Sequence, residues 1–289
     1  MLEPFSLPGF QRGFLEVIVL AAGAGVIGTW IVLRGLTFFA HAVGTATFPG
    51  LVLAAGLGLP AALGAGVTGG LVALLVGLLA RRERADYDAV TALVLVGALA
   101  AGIVLASDVF DSAGNVESLL FGSLLLIDWG DVILAVVASL VAVGLGRLLG
   151  QRWLVTGFDP LTAPALGVRS ALPDLALLGV IALLAVSLLS ALGSLLATAL
   201  LVVPAATTRL VCVRLRSWQL ATVGLVLAEG TVGLWLSVQL NSPPGAAIAV
   251  LTSGIFVVVA LARPLLTGRG RGAAASGPAP GEPGLAVVR

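Results

Sequence analysis

The chain has 289 residues, of which 59% are hydrophobic and only 10% charged, with a formal net charge of +1. Mean hydropathy is +1.16. A charged fraction this far below the roughly 25% usual in soluble domains excludes a soluble enzyme, a nucleic-acid binder and a disordered chain, and leaves a polytopic membrane protein. Every basic residue is Arg and none is Lys, so the chain lacks the Lys of a P-loop and of any Schiff-base chemistry. It is not an enzyme in its own right, and any ATP it depends on must be bound by another chain. A single Cys, Cys212, cannot form an intramolecular disulfide or a zinc cluster.

Residues 1–12 carry Glu3 and Arg12, and the apolar run that follows is about 20 residues, longer than the roughly 7–15 of a secretory signal. It reads as a first span. A helix of about 20 residues crosses the roughly 30 Å hydrocarbon layer, and backbone groups in lipid must pair internally. On that rule the pattern predicts an all-α transmembrane bundle of eight or nine spans. Candidates lie at about 13–33, 37–58, 60–80, 89–107, 131–150, 172–190, 192–208, 218–238 and 246–264. Gly66 with Gly70, and Gly146 with Gly150, form G-x-x-x-G pairs suited to close helix packing. The apolar stretch 119–127 is too short to span and reads as an outer half-helix or part of an irregular connection. Residues 1–266 form the transmembrane domain, and the Gly- and Pro-rich tail 267–289 is predicted to be disordered and cytoplasmic. Placing the N-terminus outside and the C-terminus inside puts every Arg except Arg12 on the inner side, as the positive-inside rule requires. Trp30, Trp129, Trp153, Trp218 and Trp235 fall near span ends, where aromatic belts are expected.

Several residues within or between the spans are candidates for function. The second span holds the one His of the chain. Thr37, His41 and Thr45 are spaced at i, i+4 and i+8 and share a helix face. Pro49 has no N–H and is expected to free the carbonyl of Thr45. That face offers an imidazole, hydroxyls and a carbonyl to a passing cation, the alternative being a His bonded to a neighbouring helix. Glu229, near the middle of its span, is a second intramembrane ionisable group that either joins His41 on a pathway or is structural. Glu16, close to the outer end of its span, is expected to snorkel to the interface. Pro204 should interrupt the seventh span as Pro49 does the second, and interrupted spans suit a transport pathway. In the inner connection, Asp159 can cap a short helix with Pro160 at its first position and Gly167 at its end.

Four segments, taken together, resemble the membrane permeases of the zinc, manganese and iron ABC importers. They are Phe48-Pro49-Gly50, Phe158-Asp159-Pro160 through Ala165-Leu166-Gly167-Val168, Leu201 through Leu210, and Ser242-Pro243-Pro244-Gly245; Phe121 through Leu125 fits as well. The likeness spans roughly residues 13–265. It implies a divalent-metal permease of the bacterial inner membrane, with no permanently bound cofactor and the metal as transient cargo. Its partners would be a cytoplasmic ABC ATPase dimer, an extracytoplasmic metal-binding protein, a second permease copy and membrane lipid, with no nucleic acid. It further implies that Asp159, Pro160, Leu161, Ala165, Leu166 and Gly167 belong to the helix that couples to the ATPase, and that the second span lines the metal path. Members of the family usually carry Asp where this chain has His41, and His where it has Thr45. The pair therefore becomes imidazole plus hydroxyl, and an acid from elsewhere, Glu229, is the candidate for balancing a cation's charge.

Two competing readings stay open from the sequence. One is an importer of the same architecture that carries a metal chelate such as a siderophore or haem. The other is an ion-coupled secondary transporter using His41 and Glu229 as a proton relay, with no ATPase.

Overall fold

A computed structural model describes residues 8–82, 86–109, 127–158, 171–189, 193 and 197–267. Among these the chain is all helix. In order the elements are α1 (Pro8–Arg34), α2 (Thr37–Ala46), α3 (Phe48–Leu57), α4 (Ala61–Arg82) and α5 (Tyr87–Val104), the last widening into a π-turn at Leu105–Val109. They continue with α6 (Trp129–Phe158), α7 (Ala171–Ser187), α8 (Ala197–Arg209), α9 (Leu215–Leu240) and α10 (Pro244–Thr267).

Seven segments among the described residues are long and apolar enough to cross a membrane, α2 and α3 counting as one, Thr37–Leu57. The expected spans at 172–190 and 192–208 correspond to the shorter helices α7, of 17 residues, and α8, of 13. The stretch 119–126, the tail 268–289 and the whole capped segment Asp159 to Gly167 lie outside the described residues.

The first helix is the hub. It packs along α6 and α9 and against α8, while α4 lies on α7 and α3, and α10 on α8 and α9. Exposure follows the logic of a lipid solvent. Leu63, Val67, Leu71, Leu74 and Leu78 form an exposed apolar stripe along α4, which costs nothing where the surroundings are hydrocarbon. With apolar residues on both sides of each helix, packing depends on small residues that let backbones approach. Gly25 and Gly28 of α1 admit Val223 of α9 and the carbonyl of Leu201 in α8. Gly50 of α3 and Gly64 of α4 face each other so closely that a Cβ on either would meet the other's carbonyl oxygen. Of the two G-x-x-x-G pairs, Gly146 and Gly150 pack on Val26 and Trp30 of α1, whereas nothing approaches Gly66 or Gly70. The spacing is therefore a packing face on α6 and not on α4.

The aromatic belt is narrower than the sequence suggests. Trp129 and Trp235 are exposed. Trp30, Trp153 and Trp218 are buried structural residues: Trp30 meets Trp153 edge-on at 5.5 Å, and the indole N–H groups of Trp153 and Trp218 donate to the carbonyls of Pro173 and Ala205 at 2.7 and 2.8 Å. Proximity to a span end does not separate a belt Trp from one that ties two helices together.

Gly64→Val forces α3 and α4 apart at their backbone contact and is expected to destabilise the chain by about 1–3 kcal/mol. Gly66→Val, which meets open space, should be nearly neutral. Thermal unfolding of the two variants in detergent checks the difference.

Candidate functional site

The site is built on the broken second span. α2 ends at Ala46 and α3 begins at Phe48, with Pro49 in its first turn. The junction is held by hydrogen bonds centred on Thr47, as a backbone break inside a membrane requires. Thr47 Oγ1 donates to the carbonyl of Gly44 at 2.6 Å. The carbonyl of Thr47 accepts from the N–H groups of Gly50 and Leu51 at 3.0 and 3.1 Å, and from Thr68 Oγ1 of α4 at 3.3 Å. The carbonyl of Thr45, expected to be free, is not: backbone N–H groups at the α2 C-cap bond to the carbonyls of Gly44 and Thr45. Ending the helix at Ala46, three residues before Pro49, lets the last turn tighten and use the carbonyl that a continuous helix would have orphaned. Pro204 differs. It is buried within α8, which runs through it without a break.

The shared face of α2 is present. Thr37 and His41 are exposed and Thr45 is half-exposed, while Phe39, Ala40, Ala42, Val43 and Ala46 are buried. His41 Nδ1 lies 3.0 Å from Thr198 Oγ1 at the start of α8. With the proton on Nδ1 donated to that hydroxyl, Nε2 keeps its lone pair for a ligand, the arrangement that orients metal-binding imidazoles. Thr198 was not among the sequence candidates. Its one signal is its position six residues before Pro204 in the same apolar run, and no spacing rule connects it with residue 41.

Glu229 is fully buried, and neither carboxylate oxygen has a hydrogen-bond partner. It does not pair with His41, whose partner is Thr198. On the adjacent surface of α9, Val17 of α1 fills the space over Gly230, and Ile248 of α10 that over Gly233. The imidazole–carboxylate relay of a secondary transporter is therefore not assembled. Glu16 also departs from expectation. It does not snorkel but is fully buried, again with both oxygens unpartnered, because α1 begins at Pro8 and carries residue 16 more than two turns into the helix. Among the described residues no group of three or more His, Cys, Asp or Glu side chains could hold a metal ion. The face on α2 can give a cation one nitrogen and hydroxyl oxygens, a weak set suited to passage.

A second constellation flanks the segment expected to couple to an ATPase. Arg34, the last residue of α1, pairs with Asp174 in the first turn of α7, Nη2 to Oδ1 at 2.9 Å. Its Nη1 donates to the carbonyl of Trp153 at 2.9 Å and to Thr156 Oγ1 at 2.7 Å, both near the end of α6. Arg81 of α4 reaches the other oxygen of Asp174 at 3.5 Å. One guanidinium and one carboxylate thus hold the two ends that flank residues 159–170 to each other and to the end of α1. Gly35, at φ +67°, turns the chain directly from Arg34 into α2. Asp174 was missed by the sequence reading, although an acid behind a Pro at the Arg-rich end of an apolar helix was a visible signal.

The family model for the ABC 3 transport family matches residues 6–263. The chain belongs to that family. The permease is 28% identical over 254 residues to the manganese transport system membrane protein MntC of Listeria monocytogenes, covering 88% of this chain and 90% of the relative. It is 29% identical over 259 residues to the chelated iron transport system membrane protein YfeD of Yersinia pestis, covering 89% and 86%. Among solved structures it superposes on PsaBC from Streptococcus pneumoniae, solved in complex with Fab, with a TM-score of 0.74 at 26% identity, covering 89% of this chain and 92% of that one. It is a multi-pass permease of a bacterial membrane, and ATP hydrolysis belongs to a separate subunit.

Because Arg34 serves α6 and α7 at once, Arg34→Leu is expected to cost about 3 kcal/mol of stability by leaving the part-buried Asp174 short of its main partner. Arg81→Gln, at a longer and more exposed contact, should cost less than Arg34→Leu. Unfolding midpoints in detergent rank the two.

Proposed function

We propose that the permease conducts a divalent metal ion, manganese, iron or zinc, inward across the membrane, with the Thr37–His41–Thr45 face of α2 as the surface the ion passes. The observation that carries this reading is the open imidazole of His41, oriented by Thr198, on a helix otherwise buried on its remaining sides. Manganese and iron are what relatives of this length and similarity are named for, and a nitrogen donor suits all three metals.

The working assembly in this proposal has two permease copies, a pair of cytoplasmic ATPases and an outer metal-binding protein. The N-terminus lies outside and the Arg-rich ends of the helices inside. Two copies would bring two His41 side chains to one path, which supplies the second strong donor that a single chain lacks. Residues 157–168 would dock on the ATPase. The Arg34–Asp174 pair would then carry displacement of that segment to the end of α1 and, through Gly35, to α2.

A chelated metal is the second reading. It is favoured by the sparse ligand set of the α2 face, since a cargo that brings its own ligands needs few from the protein.

Elemental analysis of cells expressing the permease with its ATPase and binding protein tests the proposal. Wild type should accumulate one of these metals, His41→Ala should lose that uptake, and Thr198→Val should weaken it by about tenfold through loss of imidazole orientation. Uptake of a siderophore or haem complex, with no response to free metal, would move the conclusion to the chelate. Glu229→Gln keeps the shape of a buried side chain that has no partner to lose, so its uptake is expected to stay much closer to wild type than that of His41→Ala. Equal loss in both variants would return Glu229 to the path.

A further inference from the structure

Between α1, α6 and α9 lies a groove of about 640 Å3 that neither the α2 face nor the Arg34–Asp174 cluster uses. Its floor is α1, with Val26 and Trp30 under Gly146 and Gly150 of α6. Leu154, Leu220 and Val223 add apolar walls. The surrounding surface is apolar and open, with Leu140, Leu148 and Leu220 all well exposed on helices long and apolar enough to span.

One end of the groove is polar. Arg147 and Gln151 stand a turn apart on α6, and Arg216 and Gln219 stand three residues apart on α9. No acidic residue lines the groove. Among the described residues Arg147 and Arg216 are exposed, and the ion pairs formed go to other Arg residues. The depth is also set. Arg147 lies 18 positions beyond Trp129, about 27 Å along the helix at 1.5 Å per residue, close to the roughly 30 Å thickness of the hydrocarbon layer. Arg216 sits in the first turn of α9. Both guanidiniums therefore stand where lipid phosphates begin, at the Arg-rich end of the bundle.

We propose that this groove binds an anionic phospholipid. Its phosphate is held between Arg147 and Arg216 with the amides of Gln151 and Gln219 beside it, and an acyl chain runs towards the bilayer centre along Val143, Leu220 and Val223. Guanidinium forks match phosphate oxygens, and basic pockets between spanning helices are the form such lipid sites take. A zwitterionic lipid offers the same phosphate but brings its own cation to two arginines that have no acid between them, so net charge decides the preference. The inference needs only insertion in a membrane and is independent of the cargo.

The test is native mass spectrometry of the full chain in detergent, titrated with phosphatidylglycerol or phosphatidylcholine of matched acyl chains. Wild type should retain phosphatidylglycerol at about tenfold lower concentration. The double variant R147Q/R216Q should lose that preference, while Arg152→Gln, at the same end but outside the groove, should keep it. Should the double variant fail to fold, Leu220→Glu, which sets a carboxylate on the exposed wall, should also reduce the preference. Equal retention of the two lipids by wild type overturns the proposal, as does an equal loss in Arg152→Gln or an unchanged preference in Leu220→Glu. Disulfide cross-linking of two copies through Leu220→Cys in a Cys212→Ser background would assign the groove to a second permease and overturn it too.

Discussion

A break in a membrane helix is tolerated only when every backbone group it exposes finds a partner inside the protein. The junction between α2 and α3 meets that condition at Thr47. Its hydroxyl, its N–H and its carbonyl all bond locally, and Thr68 of α4 adds a further donor. Everything proposed for the path depends on this. Because the helix ends at Ala46, α2 is a short independent element that packs mainly on α5 while α3 packs on α4. The Gly50–Gly64 approach then holds α3 in place. His41 is displayed on a segment that can be aimed separately from the rest of its span.

The ionic cluster at the C-terminal end of α1, directly before α2, anchors the start of that segment. Arg34 binds α6 and α7 at once and is followed immediately by the turn into α2. A part-buried ion pair is a poor source of net stability, because desolvation offsets much of the attraction. Its value here is geometric, since one side chain sets the separation between two helix ends and the start of a third. Many hydroxyls in the bundle bond back to their own helix or to a neighbour, although those of Thr91 and Ser242 are buried without a partner. Thr208 and Thr222 join α8 to α9 at 2.7 Å, and Ser139 joins α6 to α1 by donating to the carbonyl of Val19 and accepting from the N–H of Gly23. Glu16 and Glu229 stand apart as carboxyls with no such partner.

A chain this apolar announces its class through composition. Its helix positions follow from the length of hydrocarbon each run must cross, so all-α architecture, most of the helices and the exposed α2 face at Thr37, His41 and Thr45 were legible without coordinates. Family membership was legible too, from the order of a few short motifs. Periodicity placed His41 on its face because a helix repeats locally. It could not place Thr198 beside it, since 157 positions separate them in the chain. The same limit explains the three tryptophans. Near a span end, an indole is either in the lipid interface or between helices, and only the neighbours decide.

The sequence by itself determined that this protein spans a membrane as a helical bundle, that it carries little charge with Arg as its sole basic side chain apart from one His, and which helix face carries the one imidazole. These are consequences of hydropathy, charge count and the 3.6-residue repeat, all of which act within a segment. Tertiary structure alone decided that Thr198 stands beside His41, that Asp174 gathers Arg34 and Arg81, that Glu16 and Glu229 are sealed away, and that Arg147 and Arg216 share a groove. Each of those is a meeting of segments distant in sequence. Such meetings are set by where small residues let helices approach, and that is a property of the packed bundle and not of any one run of residues.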